Sequence, residues 1–351
     1  MADPRRLGNR PGRRPRGRGR GAFALAMIDG WQRGFAGRLT TRDEYLWEVP
    51  GIHDIAAAVR TFSSRIVDYQ PHSWTTHVSG HPPGALLTFV WLDRLGLAVP
   101  TGRIQRGRRG ADRGGGAEPI ARFVALAPTA IWVAVSADGY FAGVAAWGIA
   151  LLAVAVHRPV RFPALTAAGA GLLLGWGVFC NYGLMLMGLP AAAVLAATPR
   201  LPGPAALGAI AVAVAFAVAG FYWFDGYTLV QQRYWQGIAK DRPFQYWSWA
   251  NLACVVCAIG LGGVAGVGRV FDRAAIRRRS GFPLLLLAVL AAIACADLSM
   301  LSKAEVERIW LPFTIWLTAA AALLPVRTHR IWLALNAVGA LAVNTIILTH
   351  W

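Results

Sequence analysis

Residues 282–299 read FPLLLLAVLAAIACADLS, an apolar run whose first formal charge, Asp297, comes close to its end. As a helix rising ~1.5 Å per residue, a run of this length reaches roughly the ~30 Å of a bilayer's hydrocarbon core. A bilayer offers no water to unpaired backbone groups, and a helix satisfies them internally. Similar runs recur at about 84–99, 120–136, 140–156, 164–181, 184–198, 204–224, 249–268, 310–326 and 331–348. They predict an all-α, polytopic helical membrane protein with about 10 transmembrane helices. The composition agrees: 56% of residues are hydrophobic, 15% are charged and the mean hydropathy is +0.45. A soluble chain carries roughly 25% charge.

The net charge of +18 raises the question of a nucleic-acid partner. Thirteen arginines in 1–20 and 101–117, against Asp3 and Asp112, supply +11 of it. Neither stretch is interleaved with aromatics or set on a helix face, as a nucleic-acid surface would be, so no nucleic acid is expected. Both are rich in Arg, Gly, Pro and Ala, and lysine occurs only at Lys240 and Lys303. Two readings stay open. One is a mis-called start and an internal frame slip in a GC-rich coding sequence, which would truncate the chain. The other is a native basic tail, 1–21, and a native cytoplasmic loop, 100–118. Residues 22–29 are too short to span a membrane, and the basic start is not followed by a signal-peptide pattern. The expected organisation is therefore a low-complexity tail over 1–21, an extracytoplasmic loop over 22–83 and a helical bundle over 84–351.

Membrane proteins keep basic loops in the cytoplasm. His157 to Arg161, Arg200, Arg269 to Arg279 and Arg327 to Arg330 fit that side, which puts 225–248, 300–309 and the first loop outside. The outer segments hold Tyr222-Trp223-Phe224 and Phe244 to Trp249, expected as an interfacial aromatic belt, with sugar stacking as the rival account. Cys254-Val-Val-Cys257 has metal-like spacing but no second pair or histidine cluster, so packing cysteines are expected.

The first loop carries the chemistry-bearing residues. An acid pair, Asp43-Glu44, stands near its start, and His81-Pro82-Pro83-Gly84 closes it on top of an apolar run. Between them, Ile55, Val59, Phe62 and Ile66 recur at helical spacing, with Asp54 placed to cap a surface helix over the acid pair. Asp138 interrupts two apolar runs, either as a functional acid or as an Ala-Asp-Gly turn. Lys303 and Arg308 are outer-side cations suited to phosphate, the arginine better because its planar fork can grip two oxygens. Each residue has a plainer account: solvated loop acids, a capping histidine, and local pairs among Glu305, Glu307 and Arg308.

The acid pair, surface helix and His-Pro-Pro entry together resemble the GT-C glycosyltransferases, most nearly the protein O-mannosyltransferase type. The residues that match are Asp43, Glu44, His81, Pro82 and Pro83; Gly84 and Tyr45 depart from that pattern. The segment Lys303 to Pro312 is similar to actinobacterial membrane proteins related to these enzymes. The resemblance implies a multi-pass plasma-membrane enzyme that moves a sugar from a polyprenyl-phosphate donor to an acceptor hydroxyl outside the membrane. Asp43 would then be the base, and Glu44 would orient the acceptor or a divalent cation. His81, Asp138, Lys303 and Arg308 would contact substrate. A membrane transporter or flippase and an inactive truncated homologue are the competing expectations. Internal repeats and helices broken at midplane depth are the marks of a transporter.

Overall fold

Four helices of the computed structural model are long and apolar enough to cross a bilayer: Ala137–His157, Pro163–Cys180, Phe244–Val267 and Gly281–Leu298. Two bent pairs pass the same test as units, Gly203–Val218 with Trp223–Gln236 (73°) and Leu311–Leu323 with Val326–Ile346 (108°). The structure describes residues 37–96, 118–133, 135–197, 202–277 and 280–346, and no strand occurs among them. The chain is thus a helical membrane protein with four to six candidate spans among the described residues. The expected tail over 1–21, the 22–29 segment and nearly all of the 100–118 loop lie outside them.

Less than half of each spanning window is buried within the protein, and the remainder carries side chains such as Trp147, Leu165 and Leu261 on its outer surface. An apolar surface of that extent needs lipid rather than water around it. Without a hydrophobic drive between helices in lipid, close packing must join them. Small residues supply it between Pro163–Cys180 and Gly203–Val218: a side chain at Gly171 or Gly208 would strike the backbone of Ala205 or Ala168. An apolar cavity of about 330 Å³ opens beside this seam, lined by Leu152, Leu174, Leu195 and Ala205, with no polar groups converging on it.

Pro82 caps Pro83–Arg94, whose first residue is a proline, as the fixed φ of that ring favours. Any side chain at Gly84 would run into the Phe179 carbonyl at the end of Pro163–Cys180. The glycine that departs from the family pattern is therefore a packing requirement. It brings the His-Pro-Pro corner against the end of a spanning helix.

The first loop folds as short pieces with their own core. Asp54 caps Ile55–Arg60 by accepting from the Ala57 amide at 3.1 Å, and a 3₁₀ turn, Ser63–Arg65, follows. Val59, Phe62 and Ile66 are buried, as their spacing predicted. The Phe62 ring meets Trp74 and the edge of Phe221, which pins this piece to the corner between Gly203–Val218 and Trp223–Gln236. Arg233 fixes it again through Asp68 at 2.6 Å.

The starts of Ala137–His157 and Phe244–Val267 and the ends of Pro163–Cys180 and Gly281–Leu298 gather on the side of this loop. Their opposite ends adjoin Arg158, Arg161, Arg269, Arg273 and Arg277. One end of the bundle is therefore basic, and the other carries the acids and the loop.

Candidate functional site

Glu44 and Asp43 are neighbours that face different surroundings. Glu44 is buried, whereas Asp43 is exposed and accepts from the Thr76 hydroxyl at 3.2 Å. The residue brought to Glu44 is His77, whose Nδ1 lies 3.1 Å from Glu44 Oε1, a close approach rather than an aligned hydrogen bond. His77 stands on the short turn Thr76–Ser79, held by its amide donating to the Asp43 carbonyl at 3.1 Å. The acid pair thus divides its work: Asp43 anchors the turn and Glu44 faces inward.

His81 lies one helical turn after His77, on the same face. Its Nδ1 is 2.8 Å from the His77 carbonyl, an acceptor, so Nδ1 carries the proton and donates. That leaves Nε2 as a lone-pair acceptor in the neutral ring. Burial pushes His81 down to about 4 and outweighs the hydrogen bond to His77, which favours the proton. The ring sits against Tyr45 and Phe141. Tyr45 stacks on Phe89, and its hydroxyl is buried with no hydrogen-bond partner among the described residues. Burial, and then the charges of Asp138 and Glu44, push its pKa up, so it stays an O–H.

Asp138 lies in the first turn of Ala137–His157, where the helix dipole favours an anion. Only 3% of its side chain is exposed, and it accepts from Arg308 at 3.2 Å across 170 residues of sequence. Arg308 comes from Val306–Ile309, just before the Leu311–Ala319 helix, and is itself buried. Its second terminal nitrogen donates to Glu305 Oε2 at 2.8 Å. Burial disfavours the guanidinium, but Asp138, Glu305 and Glu44 together hold its pKa above the usual value. The backbone leading to it is strained: Ala304 (φ 69°) and Glu305 (φ 57°) both occupy the left-handed region. A non-glycine residue there costs ~1–3 kcal/mol. In this conformation the Glu305 carboxylate meets Arg308.

Of the six residues expected from sequence, four therefore share one buried neighbourhood: Glu44, His81, Asp138 and Arg308. Asp43 lies at its rim. Lys303 belongs elsewhere. Its Nζ donates to the carbonyls of Arg242 (2.8 Å) and Ala239 (3.3 Å) and sits 4.5 Å over the Trp235 ring. Arg242 donates in return to the Lys303 carbonyl at 2.6 Å. The surface helix is not what meets Glu44, since its buried face is spent on Trp74 and Phe221. His77 was missed by sequence, although its four-residue spacing to His81 was a usable signal.

Among the described residues, no group of three or more His, Cys, Asp or Glu side chains is set to hold a metal ion. The donors therefore do not fit the divalent cation that Glu44 was expected to orient. The four cysteines are free. Tyr222, Phe224, Tyr246 and Trp249 are exposed near the loop end, in keeping with an interfacial belt. Trp223 instead turns inward and donates to the Val178 carbonyl at 3.0 Å. Comparison with known protein families, with curated proteins and with solved structures gave no match.

Proposed function

We propose that the chain is a GT-C-type glycosyltransferase of the plasma membrane, moving a sugar from a polyprenyl-phosphate donor to an acceptor hydroxyl on the extracytoplasmic face. The observation that carries this reading is the buried Asp138–Arg308 pair set beside Glu44 and His81, at the end of the bundle away from the basic loops. The positive-inside bias makes that end extracytoplasmic. The full architecture takes the apolar segments near 84–99, 120–136, 184–198, 204–224, 310–326 and 331–348 as further crossings beside the four long helices, about ten in all.

The chemistry needs a base for the acceptor and a cation for the leaving phosphate. Glu44 takes the acceptor proton, because it faces the cluster while Asp43 is committed to Thr76. The acceptor oxygen then bonds to the anomeric carbon with inversion. The carbon–oxygen bond to phosphate breaks, and its electron pair goes to the phosphate oxygen. Arg308, fixed by Asp138, meets that charge. His81 Nε2 accepts from a sugar or acceptor hydroxyl. No step uses a metal ion.

A transfer assay in proteoliposomes with a prenyl-phosphate sugar tests the assignment. A positioned base is worth ~10²–10⁴-fold, so Glu44→Gln should lose transfer on that scale and Asp43→Asn only a few-fold. Full transfer by Glu44→Gln would remove Glu44 as the base.

A second reading, a transporter or flippase, is favoured by one observation. Phe244–Val267 is interrupted at Gly260 (φ 70°, ψ 170°), a conformation that glycine adopts without penalty. The buried Asn336 side chain caps the break by accepting from the Gly262 amide at 2.8 Å. Broken helices inside the membrane line substrate paths in transporters. Lipid or solute flux that survives Glu44→Gln and is lost in Gly260→Leu would favour that reading.

A further inference from the structure

Both terminal nitrogens of Arg308 are engaged. Asp138 occupies one terminal nitrogen and Glu305 the other, and the charge of Glu44 also reaches the guanidinium. Recognition of phosphate by arginine depends on two parallel N–H groups pointing at two oxygens. A phosphate arriving here would instead meet three carboxylates around one cation. Departure of one carboxylate would free a terminal nitrogen, and lower the negative charge, for an oxyanion.

The two partners differ in what leaving would involve. Asp138 sits on a spanning helix with 3% of its side chain exposed, so releasing it would strand a buried charge. The Glu305 side chain is 35% exposed and can be hydrated as soon as it lets go. Among the described residues, the hydrogen bond that the Glu305 carboxylate accepts is the one from Arg308. Its backbone occupies the left-handed region together with Ala304, so a more relaxed conformation is within reach once the bond is broken.

We propose that Glu305 is a displaceable counter-ion: it caps Arg308 in the resting protein and is exchanged for the oxyanion of a phosphate mono- or diester. Asp138 stays in place and keeps the guanidinium in register. This rests on the reading of Arg308 as the group that meets phosphate. In that setting Glu305 sets selectivity, because a ligand without an oxyanion cannot replace it.

The test measures binding to the full chain in neutral phosphatidylcholine nanodiscs, with farnesyl phosphate and inorganic phosphate as probes and tryptophan fluorescence as readout. Removing a competing charge-assisted hydrogen bond should tighten phosphate binding roughly tenfold in Glu305→Gln. Glu305→Gly should tighten it similarly and stay folded, because glycine suits the left-handed backbone. Asp225→Asn, an exposed acid on the Trp223–Gln236 helix, should bind like the parent. A gain confined to farnesyl phosphate assigns a lipid-linked ligand, while an equal gain for both probes assigns free phosphate; either supports the exchange. Unchanged or weaker binding in both Glu305 variants, with the parent binding farnesyl phosphate, makes Glu305 a structural clamp and overturns the proposal. If neither parent nor variants bind either probe, the phosphate role of Arg308 falls as well.

Discussion

Two polar networks lie at the loop end of this bundle, and they are built on opposite plans. Around Asn251 the bonds close. Its amide donates to Asp297 Oδ1 and to the Ser302 carbonyl, both at 2.8 Å, and its oxygen accepts from the Ala304 amide at 3.2 Å. Next to it, Lys303 and Arg242 trade bonds with each other's backbone carbonyls, and Ser302 Oγ is the loose end. Around Arg308 the guanidinium is held, but neighbouring groups are not. Among the described residues the Tyr45 hydroxyl has no hydrogen-bond partner, His77 meets Glu44 off-axis, His81 keeps an acceptor lone pair at Nε2, and the backbone before Arg308 is strained. A saturated buried network rigidifies a fold, whereas an unsaturated one keeps capacity for a ligand. The contrast teaches that a buried cation, such as Lys303, is no evidence of a site until its donors have been counted.

The sharpest way to break this contrast is to remove Arg308. Arg308→Ala strands Asp138 as a buried charge, so it should cost ~3–5 kcal/mol of stability and abolish sugar transfer. The double variant Asp138→Leu with Arg308→Leu separates the two effects. Stability, followed by denaturant unfolding in detergent, should return close to the parent value because the stranded charge is gone. Transfer should not return. Recovery of both would make the pair purely structural and erase the difference from the Asn251 network.

The complementary experiment is Asn251→Ala. It leaves the Asp297 carboxylate, the Ser302 carbonyl and the Ala304 amide each short of a bond. At ~1–3 kcal/mol for a buried unsatisfied group, the loss should reach at least about 2 kcal/mol. Transfer per folded molecule should stay within a few-fold of the parent, measured with the amount of folded protein fixed by size exclusion. A large loss of transfer at full folding would place the closed network inside the site.

The contrast also explains what could be read from the sequence. Hydropathy reports the solvent around a segment, so 282–299, 140–156, 164–181 and 249–268 were legible as candidate spans, and the Val59, Phe62, Ile66 face as buried. The Gly260 break was not legible, because a glycine inside an apolar run changes neither hydropathy nor length. Asp138 and Arg308 were each noticed as costly charges near the membrane, but their contact spans 170 residues and depends on how helices pack. The division of labour between Asp43 and Glu44 turns on one backbone hydrogen bond, from His77 to the Asp43 carbonyl, which no residue pattern encodes. The placement of Lys303 was not legible for a related reason. Its partners are backbone carbonyls, which every sequence contains.

The smallest expected effect concerns acid, and it falls on the open network. Unfolded, His81 takes up a proton below its ordinary pKa of roughly 6.5. Folded, burial holds it neutral down to about 4. Between these values the unfolded chain binds more protons, so stability rises with pH and is lost on acidification from 6.5 toward 4. One group contributes at most ~1.4 kcal/mol per pH unit, and His81 is only half-buried, so a difference of about 1 kcal/mol between pH 7 and pH 5 is expected. Other groups of the protein titrate over the same range. The informative quantity is therefore the parent curve minus that of His81→Gln, whose amide cannot titrate but can still donate a hydrogen bond. A difference that vanishes between pH 5 and pH 7 would mean that His81 is hydrated in the folded protein. The lone pair assigned to substrate would then already be occupied by water.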